Sequence, residues 1–267
     1  MDDASLSAFE NPSWHAVISD IIRKTSTNRT DVRDAVLNGL DLSFAKTILD
    51  LGCGFGFMTD AVAGRVARAA HVVGVDACAA NEAPYLDRVG NTGRTVRFIC
   101  QRIESQLDWP DDNFDLVLAS YSLYFFANAL PEVARVLAPH GMFLAVTHTE
   151  SSCLDLLRAV GLQESDSRLL TIIHSFCAEN AGRLLTPWFG EVGRVDYHNS
   201  LAFETAQQDD FLEYLRFKLP LLSLGSEPSE ELPAPLARAA RAVLSRQGRV
   251  VLEKDDAAFR CKRPRCP

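Results

Sequence analysis

Three glycines at alternate positions, Gly52, Gly54 and Gly56, close an apolar run in the segment KTILDLGCGFG, Lys46 to Gly56. Ile48, Leu49 and Leu51 read as a strand buried on both faces, with Asp50 near its carboxyl end. Taking every second side chain out of the following turn permits positive φ and lets the main chain come close to a bound molecule. Phe57 to Val66 then has helical spacing, so its first N–H groups are expected to face the same point. A strand, a glycine turn and a helix in this order constrain the chain to an open α/β sheet with its ligand at the carboxyl ends of the strands.

The spacing is GxGxG, not the GxGxxG of dinucleotide binders. A second strand, His71 to Val75, ends at Asp76, about 20 residues beyond the turn, where a βαβ nucleotide site places its ribose-binding carboxylate. Further strands are expected at Val96 to Cys100, Phe114 to Ser120 and Met142 to His148, alternating with helical segments. Before the glycine turn, Trp14, Val17, Ile18, Ile21 and Ile22 share one helical face, and Val32, Ala35, Val36 and Leu40 share another after Thr30 as N-cap. After the fifth strand, Cys153, Leu156, Leu157 and Val160 form a helix closed by Gly161, and Leu169, Ile172, Ile173 and Phe176 a second. That is more helix than a connection needs, and it reads as a lid over a substrate. Arg194 to Glu204 alternates as a sixth strand, and Phe211 to Leu222 and Leu236 to Leu244 read as helices around a loop at Glu227 to Pro235. Val250 to Cys261 is a last strand, with Lys254, Asp255 and Asp256 as a turn or bulge.

The 267 residues fit one large domain. A net charge of -8 argues against a nucleic-acid partner, and the basic cluster Lys262, Arg263 and Arg265 reads as a solvated tail. Met1, Asp2 and Asp3 do not open a signal peptide, and no apolar run approaches the ~20 residues of a membrane span, so a cytoplasmic protein without membrane insertion is expected. Seven cysteines without a CxxC pair are neither a disulfide framework nor a zinc site.

Together with VRFICQRIESQLDWPDDNFDLVLASYSLYFF, Val96 to Phe126, and RVLAPHGMFLAVTHTE, Arg135 to Glu150, the glycine segment resembles the class I S-adenosylmethionine-dependent methyltransferases. The likeness is to the small-molecule branch that includes the ubiquinone and menaquinone C-methylases, and it covers Lys46 to Glu150. It implies S-adenosylmethionine as cofactor and methyl transfer to a small, partly hydrophobic organic acceptor. The expected fold is a Rossmann-like, seven-stranded, mostly parallel sheet with an antiparallel last strand, helices on both faces and a helical lid. One domain over residues 1–267 then divides into N-terminal helices (1–45), a cofactor-binding core (46–150), a lid insertion (151–190) and C-terminal strands and helices (191–267). By the same resemblance Asp50, Gly52, Cys53, Gly54 and Gly56 hold the methionine end, Asp76 the ribose, and Ala77 and Ile103 flank the adenine. Glu104 stands near the family's adenine-contacting acid, or faces solvent, and Ser120 lends backbone to the methionine end.

Ser120, Tyr121, Ser122 and Leu123 replace the Asn/Asp-Pro-Pro-Tyr motif of amino-group methylases acting on DNA and protein glutamine, which argues against those substrates. Tyr121 and Tyr124 are candidates for reaching the acceptor. His148, at the exit of the fifth strand, is the best-placed general base for a hydroxyl, with a structural hydrogen-bonding role as the alternative; His174 is a weaker candidate. The carboxylates that chelate magnesium in catechol-type O-methylases have no match at Ser120 or His148, and no metal is expected. Two rivals stay open, an NAD-dependent oxidoreductase and an S-adenosylmethionine-binding cyclase or regulator that transfers no methyl group. A homodimer is also left open.

Overall fold

The computed structural model describes residues 11–219 and 231–265. Its strands are β1 (Thr47–Leu51), β2 (His71–Asp76), β3 (Thr95–Cys100), β4 (Phe114–Ser120), β5 (Leu137–His148), β6 (Phe189–Tyr197), β7 (Ser200–Glu204), β8 (Arg249–Glu253) and β9 (Asp256–Pro264). The helices are α1 (Pro12–Thr25), α2 (Val32–Leu37), α3 (Phe57–Ala63), α4 (Glu82–Gly90), α5 (Leu130–Val136), α6 (Leu154–Val160), α7 (Arg168–Ile173), α8 (Ala181–Leu185), α9 (Gln208–Lys218) and α10 (Ala234–Gln247). Contacts divide the chain into two compact units.

The first unit comprises Thr30–His148, His174–Tyr197 and Asp256–Pro267. Seven strands form one sheet in the order β3-β2-β1-β4-β5-β9-β6. Pairing from β3 to β5 is parallel, and β9 runs antiparallel to both of its neighbours. This is the seven-stranded, mostly parallel sheet with an antiparallel last strand. Ile48, Leu116, Leu118, Leu144 and Val146 line one face and pack with Val36, Leu37, Met58 and Val62 from α2 and α3. Because such strands are covered by helices, they carry near-continuous apolar runs, and β4 is buried from Leu116 to Ala119. The order reverses between β1 and β4, so ligand-facing residues belong at the exits of these two strands.

The second unit comprises Met1–Arg29, Thr149–Ile173 and His198–Asp255. Here β7 and β8 form an antiparallel pair of their own. Ile18 and Ile21 of α1, Leu156, Leu157 and Val160 of α6, and Phe203, Phe211 and Leu244 make its core. Asn11 caps α1 by accepting a hydrogen bond from Trp14 N at 3.0 Å, with Pro12 opening the helix.

Several expectations change. The predicted sixth strand is two strands in two sheets, β6 and β7, and Val250 to Cys261 is likewise β8 and β9, with the break at Lys254 and Asp255. Asp31, not Thr30, caps α2, since its carboxylate reaches both Arg33 N at 2.8 Å and the Arg33 guanidinium at 2.9 Å. Helix α3 ends at Ala63, where the Gly64 N–H caps onto Asp60, although Val66 remains in the core. Val17 is half exposed, off the Ile18–Ile21 seam. The 151–190 segment does not act as one body: Thr149–Ile173 joins the second unit, where α6 finds apolar partners, and His174–Tyr197 joins the first. Lys262 and Arg263 are not a tail but part of β9, with Arg263 paired to Glu191 at 2.9 Å, and Arg265 Nη1 donates to Thr186 O at 3.0 Å. Met1 to Asp3, Cys266, and residues 220–222 and 227–230 of the expected helix and loop lie outside the described residues.

Gly74, in the middle of β2, shows how tightly the sheet is covered under the glycine turn. A Cβ there would lie 2.6 Å from the Tyr85 hydroxyl oxygen and 2.8 Å from Cys53 Sγ, and Tyr85 is fully buried. We therefore predict that Gly74→Ala destabilises the protein by about 1–3 kcal/mol, the usual cost of overpacking, read as a lower urea midpoint at unchanged slope.

Candidate functional site

The glycine turn is strapped to the end of β2. Gly52 N and Cys53 N donate to Val75 O at 2.8 and 3.1 Å, and Gly54 N donates to Asp76 Oδ2 at 2.8 Å. Gly52, Gly54 and Gly56 have φ of 69°, 50° and 82°, the left-handed region in which only glycine is unstrained. The three differ in what surrounds them. A Cβ on Gly52 would collide with the Ser122 side chain, and one on Gly56 would lie 2.8 Å from Val89 Cγ2, so both are needed for packing. A Cβ on Gly54 would meet nothing within 4 Å, so the turn opens onto space at this one position. The N–H groups of Gly52, Cys53, Gly54 and Gly56 are already engaged within the protein, so the turn offers a ligand room and not these donors.

Asp76 acts as the hub of its end of the sheet. Besides Gly54 N, it accepts from Cys78 N at 2.9 Å and Asn81 Nδ2 at 3.2 Å, both through Oδ1. Oδ2 therefore keeps acceptor capacity, since a carboxylate offers about four lone-pair sites. Ala77 and Ile103 are half-buried, whereas Glu104 is exposed, in keeping with the solvent-facing alternative.

Asp50 is buried under the turn with 2 % of its surface exposed. Thr59 Oγ1 donates to its Oδ2, while Oδ1 is buried with no hydrogen-bond partner. Burial pushes the carboxyl up to about 7, opposed by the Thr59 hydrogen bond and assisted by the nearby Asp76 charge. An unpaired acceptor in such a place costs stability unless a ligand supplies the donor. Cys53 is buried beside these two carboxylates, and burial drives its thiol well above the ordinary range, so it is packing and not a nucleophile.

On the other side of the turn, Ser122 Oγ donates to Leu51 O at 2.6 Å. Tyr121, just before it, has φ of 55°, an outlier for a bulky residue. Its N–H bonds Val146 O at 2.8 Å and its hydroxyl donates to Asp256 Oδ2 at 2.9 Å. His148 Nδ1 lies 2.7 Å from Asp256 Oδ1. The Tyr121 and Tyr124 rings lie over the imidazole, with centroids 4.7 and 6.2 Å away. Tyr197 stands beside Asp256 on β6, its phenol raised to about 12 by burial and by the Asp256 charge. Ser120 is half-buried, and its hydroxyl is a buried atom with no partner. His174 is exposed.

Residues 48–141 match the family described as methyltransferase domain. The match covers about a third of the chain. Over 104 residues the chain is 36 % identical to the ubiquinone/menaquinone biosynthesis C-methyltransferase UbiE of Hydrogenovibrio crunogenus, covering 37 % of this chain and 41 % of that relative. The chain thus spans under half of that relative's length. The YcgJ protein from Bacillus subtilis shares the fold with a TM-score of 0.53 at 18 % identity, over 93 % of this chain and 99 % of that one. The [4+2]-cyclase SpnF shares it with a TM-score of 0.52 at 16 % identity, over 94 % of both chains.

Within the seven-stranded sheet, the residue that sequence reasoning missed is Asp256. It was read as part of a turn, yet it opens β9 buried, directly across from His148. Only the change of sheet at Lys254 and Asp255 decides which of two adjacent aspartates turns inward. Thr59 and Ser122 were also missed, because neither carries a motif.

Asp50 makes a prediction about stability. Its folded-state carboxyl titrates near 7 against an ordinary 3.8, so the folded state holds the extra proton between these values. Stability contributed here is present at low pH and falls as pH rises through that window, with no further loss above it. Asp50→Asn is expected to flatten the pH 4–7 slope and to stabilise the ligand-free protein at pH 8 by a few kcal/mol, each pKa unit being worth about 1.4 kcal/mol. Chemical denaturation across that range checks it.

Proposed function

We propose that the protein transfers a methyl group from S-adenosylmethionine to a small, partly hydrophobic organic acceptor. The observation that carries this reading is the unpaired buried Asp50 Oδ1 below a glycine turn that opens at Gly54, with Asp76 held at its rim. A zwitterionic methionine end suits a buried carboxylate that lacks a donor, and a ribose suits an acceptor at the end of β2. Asp50, Gly52, Cys53, Gly54, Gly56 and Ser120 would then surround the methionine end, Asp76 the ribose, and Ala77 and Ile103 the adenine. When bound, the sulfonium supplies an electrophilic methyl group, so the protein's task is to orient it and exclude water. The fold alone does not decide for transfer, since SpnF, with the same architecture, is named a cyclase. The His148 and Asp256 pair in this chain favours a site that moves a proton.

Isothermal titration with S-adenosylmethionine and S-adenosylhomocysteine tests the cofactor half. Asp76→Asn is expected to weaken both by about 1–3 kcal/mol through lost charge-assisted bonds. Gly54→Val should abolish binding with an unchanged far-UV spectrum, because its side chain enters open space and not the core. Wild-type affinity in both variants would rule out this placement of the cofactor.

A further inference from the structure

Asp50 combines three features that a merely structural carboxylate does not need. It lies near the end of β1 with 2 % of its surface exposed, its Oδ2 accepts from Thr59 Oγ1, and its Oδ1 is a buried atom with no hydrogen-bond partner. Thr59 is itself fully buried in the first turn of α3, so its hydroxyl has been taken out of water to serve this carboxyl. On the adjacent strand β4, the Ser120 hydroxyl is a second buried atom without a partner. Native interiors leave few such atoms, and two at neighbouring strand ends point to a polar guest.

The groups that face Asp50 are neutral or acidic. Asp76 of β2 adds a like charge, and Asp50 acts in turn on the Cys53 thiol of the glycine turn and the Tyr85 phenol of α4, both held neutral chiefly by burial. Cations on the neighbouring helices have other partners. Arg33 of α2 pairs with Asp31 at 2.9 Å and lies 4.0 Å from Asp60, and Arg88 of α4 stacks over the Phe55 ring at 4.8 Å. A carboxyl in such surroundings keeps its proton. Because Thr59 donates to Oδ2, that oxygen plays the carbonyl part and the proton belongs on Oδ1. Oδ1 is also the oxygen left to take a donor from a ligand, so a proton and a ligand cation compete for one atom.

We infer that Asp50 is a proton-coupled ammonium receptor: neutral in the ligand-free protein, it gives up one proton to solvent as a ligand ammonium docks on Oδ1, while Thr59 positions the carboxyl through Oδ2. The ammonium is that of the cofactor's methionine end, so the inference rests on the methyl-transfer reading above. In the exchange the Oδ1–H bond breaks, its proton goes to solvent, and the oxygen keeps the electron pair with which it accepts an N–H of the ligand. Without ligand the carboxyl titrates at about 7, whereas an α-ammonium titrates near 8, so from about pH 5 to 7 the ligand keeps its charge while the carboxyl loses its proton. Affinity should therefore rise with pH across that window, by up to about tenfold per unit, and level off above it.

Isothermal titration of the full chain with S-adenosylhomocysteine at pH 6, in two buffers of different ionisation enthalpy, counts the protons released. The wild type is expected to release about one per ligand bound, and Asp50→Asn close to none. Thr59→Ser keeps the donor and should follow the wild-type pH profile of affinity. Thr59→Val loses it and should move the midpoint of that profile up by about half a unit to one unit, a shift that lost packing alone does not produce. In ¹³C carboxyl spectra of the ligand-free wild type, the Asp50 resonance, assigned by its loss in Asp50→Asn, should titrate well above the ordinary carboxylate range and become ionised at pH 6 once S-adenosylhomocysteine is added. These spectra decide the matter even where Asp50→Asn binds too weakly to titrate. Binding to the wild type without proton release, equal release by Asp50→Asn, or an ordinary titration of Asp50 in the ligand-free protein overturns the inference. Failure of S-adenosylhomocysteine to bind the wild type anywhere from pH 5 to 8 would instead overturn the methyl-transfer reading on which it rests.

Discussion

The contact between Ser122 and the backbone of Leu51 and Gly52 is the constraint on which the rest of the site depends. With no side chain at Gly52, the loop leaving β4 can lie against the end of β1, and the Ser122 hydroxyl ties it there through Leu51 O. Positive φ on either side of this contact, at Gly52 and at Tyr121, is the conformational cost of the approach. Its result is that the glycine turn and the loop carrying Tyr121 are joined through Ser122. Any alanine-like replacement at Gly52 would push these two parts of the site away from each other.

Two buried aspartates in the same unit are treated in opposite ways. Asp50 has one oxygen served by Thr59 and one served by nothing, and its carboxyl is correspondingly hard to ionise. Asp256 has a partner at each oxygen. Environment, not residue type, sets them apart: the first keeps an unpaired oxygen, and the second has His148 and Tyr121 against it. Tyr121 and Tyr197 respond to Asp256 as well, since its charge adds to burial in making both phenols harder to ionise.

The parallel half of the sheet was legible in the sequence because its information is local. Strands β1, β2 and β4 are continuous apolar runs, and the glycines and Asp76 fall at the ends of such runs. What the sequence concealed is long-range. Val195, Tyr197, Leu201 and Phe203 keep one alternation in phase across two different sheets, so periodicity has no mark at the break. The break is made by Asn199, which bonds Asn28 N at 3.1 Å and Ser26 Oγ at 3.0 Å, partners more than 170 residues away. Asp256 was hidden for the same reason, because its meaning depends on His148, 108 residues earlier. Helix α6 was correct as a helix, and its Leu156, Leu157 and Val160 pack in a core with β7, β8 and α10.

The position of β9 between β5 and β6 carries a consequence for how the protein is made. During synthesis β6 emerges before β9, yet among the described residues its only sheet neighbour is β9, so its edge is paired only once residues 256–264 have left the ribosome. The parallel strands β1 to β5 can assemble earlier, from segments close in sequence. Final insertion of β9 then closes loops of more than a hundred residues, the kind of non-local pairing that folds slowly. It is also the step that delivers Asp256 to His148. A nascent chain stalled short of that strand would therefore hold a formed glycine turn beside an imidazole with no carboxylate behind it.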